Sequence, residues 1–370
     1  MTPPLISLCI IVKDEAHQIE KCLQSVLFVI DEIIVVDTGS TDGTQEICRQ
    51  YGAKVIEMPW ENSFAKARNC GLKHAHGEWI LWMDADEELH ADDQNALRQT
   101  VISCKGNALF LKVIHYLGTR KEEASPHRSF RWAQIRLFRN KKGFRFVNDI
   151  HETLKWPDGA DLKQPIPQLP VQIHHYGYMD DAISHKQKVQ RNIELLLREQ
   201  EKPDHDPWCE YHLANELYRA GQWEQAFSLV NIAIEGFITK KELPPSLLYK
   251  LKYEILFRHG SMRGAWPGIE CAIRLYPNYV DLHFYKGVFM MEHGMYEEAI
   301  SVFEHCLKLG EEEWEHLSLR GMGSFYSFYY LGLCMERLGK KAEAQVYQQF
   351  SVGLIQENRQ KPALTTANEG

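Results

Sequence analysis

A chain of 370 residues is long for one hydrophobic core, and two domains are expected. Its 44% apolar and 25% charged content excludes a disordered or fibrous chain, and a net charge of −8 excludes a dedicated nucleic-acid binder. The charge is uneven: Lys112–Lys163 carries twelve Lys/Arg against six Asp/Glu, which suits an anionic ligand or a solvated loop region. Nine scattered cysteines, never closer than 13 residues, argue against a zinc ribbon or a disulfide framework and fit a reducing cytoplasm. The apolar run Leu5–Val12 has no basic leader or cleavage site, and no stretch approaches bilayer-spanning length. A soluble cytoplasmic protein is expected.

In chain order, Leu5–Val12 reads as a buried strand and Ala16–Val29 as a helix with Ile19, Leu23, Val26 and Leu27 on one face. Strand Ile33–Val36 leads through the turn Thr38-Gly39-Ser40-Thr41-Asp42-Gly43 into a helix that starts at Thr44 and stops at Gly52. A third strand, Ala53–Met58, precedes a helix capped by Asn62 or Ser63, and Glu78–Met83 is the fourth strand. Apolar strands alternating with helices predict a mostly parallel sheet covered on both faces. After Asp84 a helix near Ala91–Ile102 is followed by strand-like runs at Ala108–Leu117, Gln134–Phe138, Phe144–Ile150 and Val171–Tyr176, expected to extend the sheet with mixed or antiparallel strands. A polar helix, Asp181–Gln200, and a Pro/Asp hinge, Lys202–Pro207, then lead to a wholly helical pattern.

That pattern repeats. Gly221-Gln-Trp-Glu-Gln-Ala-Phe227 recurs as Gly294-Met-Tyr-Glu-Glu-Ala-Ile300 and more weakly from Gly339, with Gly260 as a further turn glycine. The glycine spacings of 39, 34 and 45 residues are close to the tetratricopeptide period of about 34. Leu213-Ala214 and Leu331-Gly332 resemble that repeat's Leu-Gly pair, and Trp223 and Tyr296 its aromatic. Three to four stacked helical hairpins are expected, two of them irregular, with small Ala226, Ala299 and Ala344 between helices. Their concave face suits a peptide or protein; otherwise the helices buttress the first domain or make a homodimer. The expected division is 1–180 for the α/β domain, 181–207 for the link, 208–356 for the repeats and 357–370 for a disordered tail.

In an open α/β sheet, ligands bind beyond the carboxyl ends of the strands. Three strand ends deliver carboxylates there: Lys13-Asp14-Glu15, Asp37-Thr38-Gly39-Ser40 and Asp84-Ala85-Asp86. Asp37 suits donors from a base imide or ribose hydroxyls, or else an Asx turn. Asp84 and Asp86, two apart, face one way if the chain stays extended and then suit Mg²⁺ or Mn²⁺ with phosphate. The other reading is a helix start, with Glu87 and Glu88 in solvent or beginning that helix.

The stretches SLCIIVKDEA, EIIVVDTGSTDGT, FAKARNCGL and GEWILWMDADEEL, in that order, resemble the nucleotide-sugar domain of the family-2 inverting glycosyltransferases across residues 5 to about 178. The resemblance implies a GT-A (Rossmann-like) fold and a UDP-sugar donor. It implies that Val12, the Lys13–Glu15 segment (Lys13 and Glu15 above all) and Asp37 read the nucleoside. Asp84, Ala85 and Asp86 would form the DxD motif for metal and diphosphate, and Arg68 would reach the diphosphate or that loop. Arg136-Leu-Phe-Arg139, Val147-Asn-Asp-Ile-His151-Glu152 and His175-Tyr176-Gly177-Tyr178 resemble motifs of lipopolysaccharide-core glucosyltransferases and of the glycocin S-glycosyltransferases, which also append tetratricopeptide-like helices.

An inverting displacement needs one base at the acceptor and a cation on the leaving diphosphate. Glu152 is favoured as the base, with Asp149 next. His151 would orient Glu152 or touch phosphate. His175 would complete the metal site or be a packed core histidine. Arg136 and Arg139 would offset diphosphate charge or be strand-edge residues. The QxxRW signature of the family's processive synthases is absent, since Arg131-Trp132 lacks the glutamine, and this favours a single transfer. The expected acceptor is a peptide or protein side chain. A cell-surface saccharide or lipid-linked glycan is the alternative, and a repeat scaffold with a vestigial sugar-nucleotide domain the last.

Overall fold

The computed structural model describes residues 4–118, 124–159, 165–177, 179, 182–203, 205–260 and 262–360, with side chains described for all of these except 182–187 and 357–360. Two compact units are present. Among the described residues, the first comprises those up to Tyr116 together with those from Ala133 to Met179, and the second comprises those from Leu117 to Trp132 and from 182 to 360.

The first unit begins as the sequence predicts. Strands β1 (Ile6–Val12), β2 (Glu32–Asp37), β3 (Lys54–Glu57) and β4 (Trp79–Trp82) alternate with helices α1 (Ile19–Val26), α2 (Thr44–Gln50) and α3 (Phe64–His74). The runs ISLCIIV and EIIVVD are apolar on both faces because helices cover both sides, and β1 pairs in parallel with β2 and with β4. Ser63, one of the two expected caps, accepts from Lys66 N at 3.2 Å at the start of α3. Gly77 lets β4 run beside β1, for a Cβ there would stand 2.5 Å from Ser7 Oγ.

The later elements are β5 (Glu87–Leu89), α4 (Gln94–Ser103), β6 (Ala108–Tyr116), β7 (Ser129–Arg139), β8 (Arg145–Val147), β9 (Thr153–Lys155) and β10 (Gln168–His175). Neighbouring strands follow the order β3-β2-β1-β4-β7-β6-β10-β5. β7 is antiparallel to β4, β10 is parallel to β6, and β5 is antiparallel to β10. Strand order reverses between β1 and β4, which puts the switch point there.

Two expectations are corrected. Glu87 and Glu88 do not face solvent or open a helix: they are 0% and 6% exposed within β5, because β10 supplies that segment with a pairing partner. Phe144–Ile150 does not extend the sheet, since β8 pairs with β9 in a separate ribbon. Gly143 and Asn148, both at positive φ, confine that strand to three residues, and Phe144 and Phe146 pack on Phe138.

The second unit contains α5 (Ala182–Gln200), then hairpins α6 (Trp208–Arg219)/α7 (Trp223–Thr239), α8 (Ser246–Arg258)/α9 (Gly268–Leu275), α10 (Val280–Glu292)/α11 (Tyr296–Leu309) and α12 (Phe325–Arg337)/α13 (Lys341–Gln360). Gly221, Gly260, Gly294 and Gly339 all have φ between 62° and 77°, the left-handed turn a helix end needs and glycine adopts without strain. Ala226, Ala299 and Ala344 are buried between helices, and Gly287 passes so near Phe303 that a Cβ would stand 2.7 Å from the ring. The second hairpin is irregular, with a 3₁₀ turn at Met262–Ala265 and a short α9. Before α12 lies a two-residue strand, β11 (Ser318–Leu319).

β11 pairs antiparallel with Arg131 and Phe130, which the sequence assigned to the first domain. Arg131 Nη2 donates to Glu311 O at 2.6 Å and its guanidinium lies 4.9 Å from the Trp314 ring centre. The Lys250 ammonium stands 4.2 Å over Phe130. Helix α13 runs four residues into the expected tail, and 361–370 lie outside the described residues. No helix among the described residues is long and apolar enough to cross a membrane.

Candidate active site

The loops after β1 and β2 are laced together. Asp14 N donates to Ser40 Oγ (2.9 Å), Glu15 N to Thr44 Oγ1 (2.8 Å) and Ala16 N to Asp42 Oδ2 (2.9 Å). Asp14, at φ 55°, accepts from Thr41 N at 2.7 Å, and Lys13 Nζ lies 3.0 Å from the Asp14 carboxylate and donates to Gly39 O. Val12 O receives Thr38 N and Oγ1. Asp37 is 1% exposed and accepts from Ser40 N (3.1 Å), Ser40 Oγ (2.5 Å) and Gln45 Nε2 (2.5 Å). Of the two readings of Asp37, these contacts are those of the turn.

At the end of β4, Arg68 joins two acids from distant parts of the chain. Its Nη2 donates to Asp84 Oδ1 at 2.6 Å and its Nε to Glu152 Oε1 at 2.5 Å. The guanidinium is buried and stacks over Trp82 at 4.5 Å, while Arg136 covers the same indole at 3.9 Å. Arg136, 3% exposed, donates from Nη2 to Glu87 Oε1 at 2.6 Å, and Glu87 Oε2 accepts Asp84 N at 2.9 Å. Burial acts to raise the pKa of Asp84, but Arg68 and Arg136 outweigh it and hold the carboxyl at about 2. Burial raises Glu87 to about 7, with Arg136 opposing and Asp84 reinforcing.

Across β10, His175 lies between Glu87 on β5 and His115 on β6. Its Nε2 is 3.5 Å from Asp86 Oδ1, a buried oxygen that accepts no hydrogen bond. Burial acts to lower His175, but Asp86 outweighs it and pushes the imidazole up to about 9. Gly177 keeps this space clear, because a Cβ there would stand 2.4 Å from Asp86 Oδ2 and 2.6 Å from His175 Nε2. His174 points to the other face, 2.8 Å from Tyr116 Oη and 2.9 Å from His90 Nδ1, where burial and His90 lower it to about 4. The packed core histidine is therefore His174, and His175 faces the acids.

No group of three or more His, Cys, Asp or Glu side chains among the described residues stands in a ready metal-holding arrangement. The buried Asp86 oxygen, which accepts no hydrogen bond and has only the long His175 contact, the imidazole beside it and the clearance over Gly177 nevertheless fit a divalent cation that also takes oxygens from a ligand.

Some expected residues fall elsewhere. Arg139 is a correction: it pairs with Trp79, the first residue of β4, roughly 16 Å along the strand from Asp84, and binds Glu78 and Cys104 O. Antiparallel pairing carries Arg136 to the carboxylate end and Arg139 to the opposite one. Ala85 is buried, His151 is half-buried at φ 50°, and Asp149 is half-buried with its carbonyl accepting Phe64 N at 2.7 Å. Sequence reasoning missed Glu87, His115, Trp82 and Gly177. The WMDADEE run contained a hint of Glu87, but only strand register reveals His115.

Residues 7–154 match the model of Glycosyl transferase family 2. The chain is 36% identical over 198 residues to a TPR repeat-containing protein of Synechococcus elongatus, covering 52% of this chain and 47% of that one. It is 32% identical over 181 residues to an uncharacterized glycosyltransferase of Rickettsia felis (46% and 62% covered). It is 28% identical over 240 residues to the SPbeta prophage-derived glycosyltransferase SunS of Bacillus subtilis (63% and 54%). The matched part is thus between 47% and 62% of the length of these curated relatives. Solved structures similar to the chain include S. aureus TarS in complex with UDP-GlcNAc (14% identity, 70% and 88% covered, TM-score 0.36). The TPR protein YrrB is another (16% identity, 47% and 81% covered, TM-score 0.38).

Proposed function

With a glycosyl transferase family 2 domain at residues 7–154 followed by tetratricopeptide-like helical hairpins, we propose that this chain is a metal-dependent inverting glycosyltransferase. It moves a hexose from a UDP-sugar to a peptide or protein side chain, Cys or Ser/Thr. Asp86 Oδ1 carries this reading: a buried oxygen that accepts no hydrogen bond and stands 3.5 Å from His175 Nε2. A divalent cation there would take that oxygen and the imidazole nitrogen as direct ligands.

Asp86, His175 and the Asp84 oxygen not held by Arg68 would hold Mg²⁺ or Mn²⁺. Bound there, the ion neutralises charge on a leaving diphosphate. The chain's own residues take the other roles. The β1 and β2 ends, with Val12, Lys13, Glu15 and Asp37, border the nucleoside. Arg68 fixes the donor-side Asp84 and the base-side Glu152 with one guanidinium, and Arg136 backs it across Trp82. Glu152, its Oε1 on Arg68, offers Oε2 to the acceptor proton, and Asp149 is the next candidate. The acceptor attacks the anomeric carbon as the bond to the diphosphate oxygen breaks, and its proton passes to the base. A thiol needs less help, being partly ionised already. The helical hairpins hold the acceptor peptide.

Full-length protein incubated with a panel of nucleotide sugars, with and without Mn²⁺, should hydrolyse one UDP-sugar only with metal. Mass spectrometry of candidate peptides and glycans then identifies the acceptor. Asp84→Ala should abolish hydrolysis; undiminished turnover in that variant, or no hydrolysis of any donor, rejects the enzyme reading.

A further inference from the structure

Glu87, His175 and His115 stand in one row across three neighbouring strands, so their side chains share one face of the sheet. Their sequence separations, 88 and 60 residues, hide this row from any local pattern. The rings of His115 and His175 meet edge to face, centres 4.8 Å apart and planes at 89°. Their Nδ1 atoms are 2.7 Å apart, and His115 is only 7% exposed. Two ring nitrogens at that distance share one hydrogen, and the donor's other nitrogen is then the one left to face outward. On His175 that other nitrogen is Nε2, the atom beside Asp86 Oδ1 in the clearance over Gly177.

We propose that His115 is a positioning residue that accepts the Nδ1 hydrogen of His175, fixes its tautomer and ring plane, and so leaves the Nε2 lone pair to a divalent cation shared with Asp86. This rests on the reading of Asp86 and His175 as metal ligands. An imidazole ligand needs its second nitrogen held by an acceptor, and loss of that acceptor typically weakens metal binding about 10- to 100-fold. A merely packed histidine would lack such an effect. His174, one residue earlier, provides the contrast: its nitrogens meet Tyr116 and His90 on the opposite face, away from any acid of the site.

The test uses full-length protein and Mn²⁺, with UDP present, followed by electron paramagnetic resonance. Wild type should bind Mn²⁺ with nitrogen modulation from one imidazole, and His175→Gln should lose that modulation. His115→Phe should weaken Mn²⁺ about 10- to 100-fold, whereas His115→Gln, whose amide oxygen can accept the same hydrogen, should restore most of the affinity. Thermal unfolding of each variant separates this from loss of fold; if the Phe variant does not fold, His115→Met takes its place. Bound Mn²⁺ without nitrogen modulation, or equal affinity in wild type and His115→Phe, overturns the role of His115 while leaving a carboxylate metal site standing. No Mn²⁺ binding by wild type overturns the metal-site reading together with it.

Discussion

At the scale of single residues, the acids of the site are held by buried cations rather than by solvent. Arg68 spans Asp84 and Glu152 through two different nitrogens, a task for a planar fork and not for an ammonium. Arg68→Lys should therefore fold but lower kcat of donor hydrolysis by about 100-fold, since a misplacement near 1 Å has that effect. Arg68→Ala should also cost about 1–3 kcal/mol in urea unfolding, because it strands two half-buried carboxylates. Glu87 supports Asp84 from behind: Glu87→Ala should cut kcat/KM about tenfold or more by leaving Asp84 N–H and Arg136 unpaired, while Glu87→Gln retains an acceptor and most of the activity. The positions of Asp37, Asp84 and Asp86 at strand ends were legible because strands stop where apolar runs stop. The environments of Glu87 and His115 were not, because burial of a charged residue depends on which distant strand pairs beside it.

At the scale of elements, each glycine in question has a distinct physical task. Gly177 stands two residues past the end of β10, where a side chain would enter the space between Asp86 and His175, so Gly177→Ala should abolish metal-dependent donor turnover while shifting thermal unfolding little. The helix-end glycines act on stability instead. Gly294→Ala forces alanine to φ 76° and should lower stability by about 1–2 kcal/mol, read from the urea midpoint. The alternation of strands and helices up to Trp82, and the helical hairpins, were readable from hydrophobic period and turn glycines. The strand-like run at Phe144–Ile150 misled because pairing partners, not composition, decide which sheet a short strand joins.

At the scale of the whole molecule, pH sensitivity of the helical unit should centre on Asp281. It is fully buried and accepts Leu319 N at 3.1 Å; burial raises its pKa to about 7, with Lys250 opposing. The folded state thus binds a proton that the unfolded state releases near pH 4. Stability from this group is fully present below that value and is lost as pH rises towards 7, by up to about 4 kcal/mol. Asp281→Asn should flatten this slope and be the more stable protein at pH 8, measured by urea unfolding at several pH values. The division between the two units also has a consequence for how such a chain arises and can be rebuilt. The chain crosses it after Tyr116 and after Met179, and once inside strand β7, between Trp132 and Ala133. Cassette exchange at that border would cut a hydrogen-bonded strand and strip Arg131 from Glu311 and Trp314. The helical part is therefore no detachable module: exchanging it for another helical array requires moving the Leu117–Trp132 segment with it.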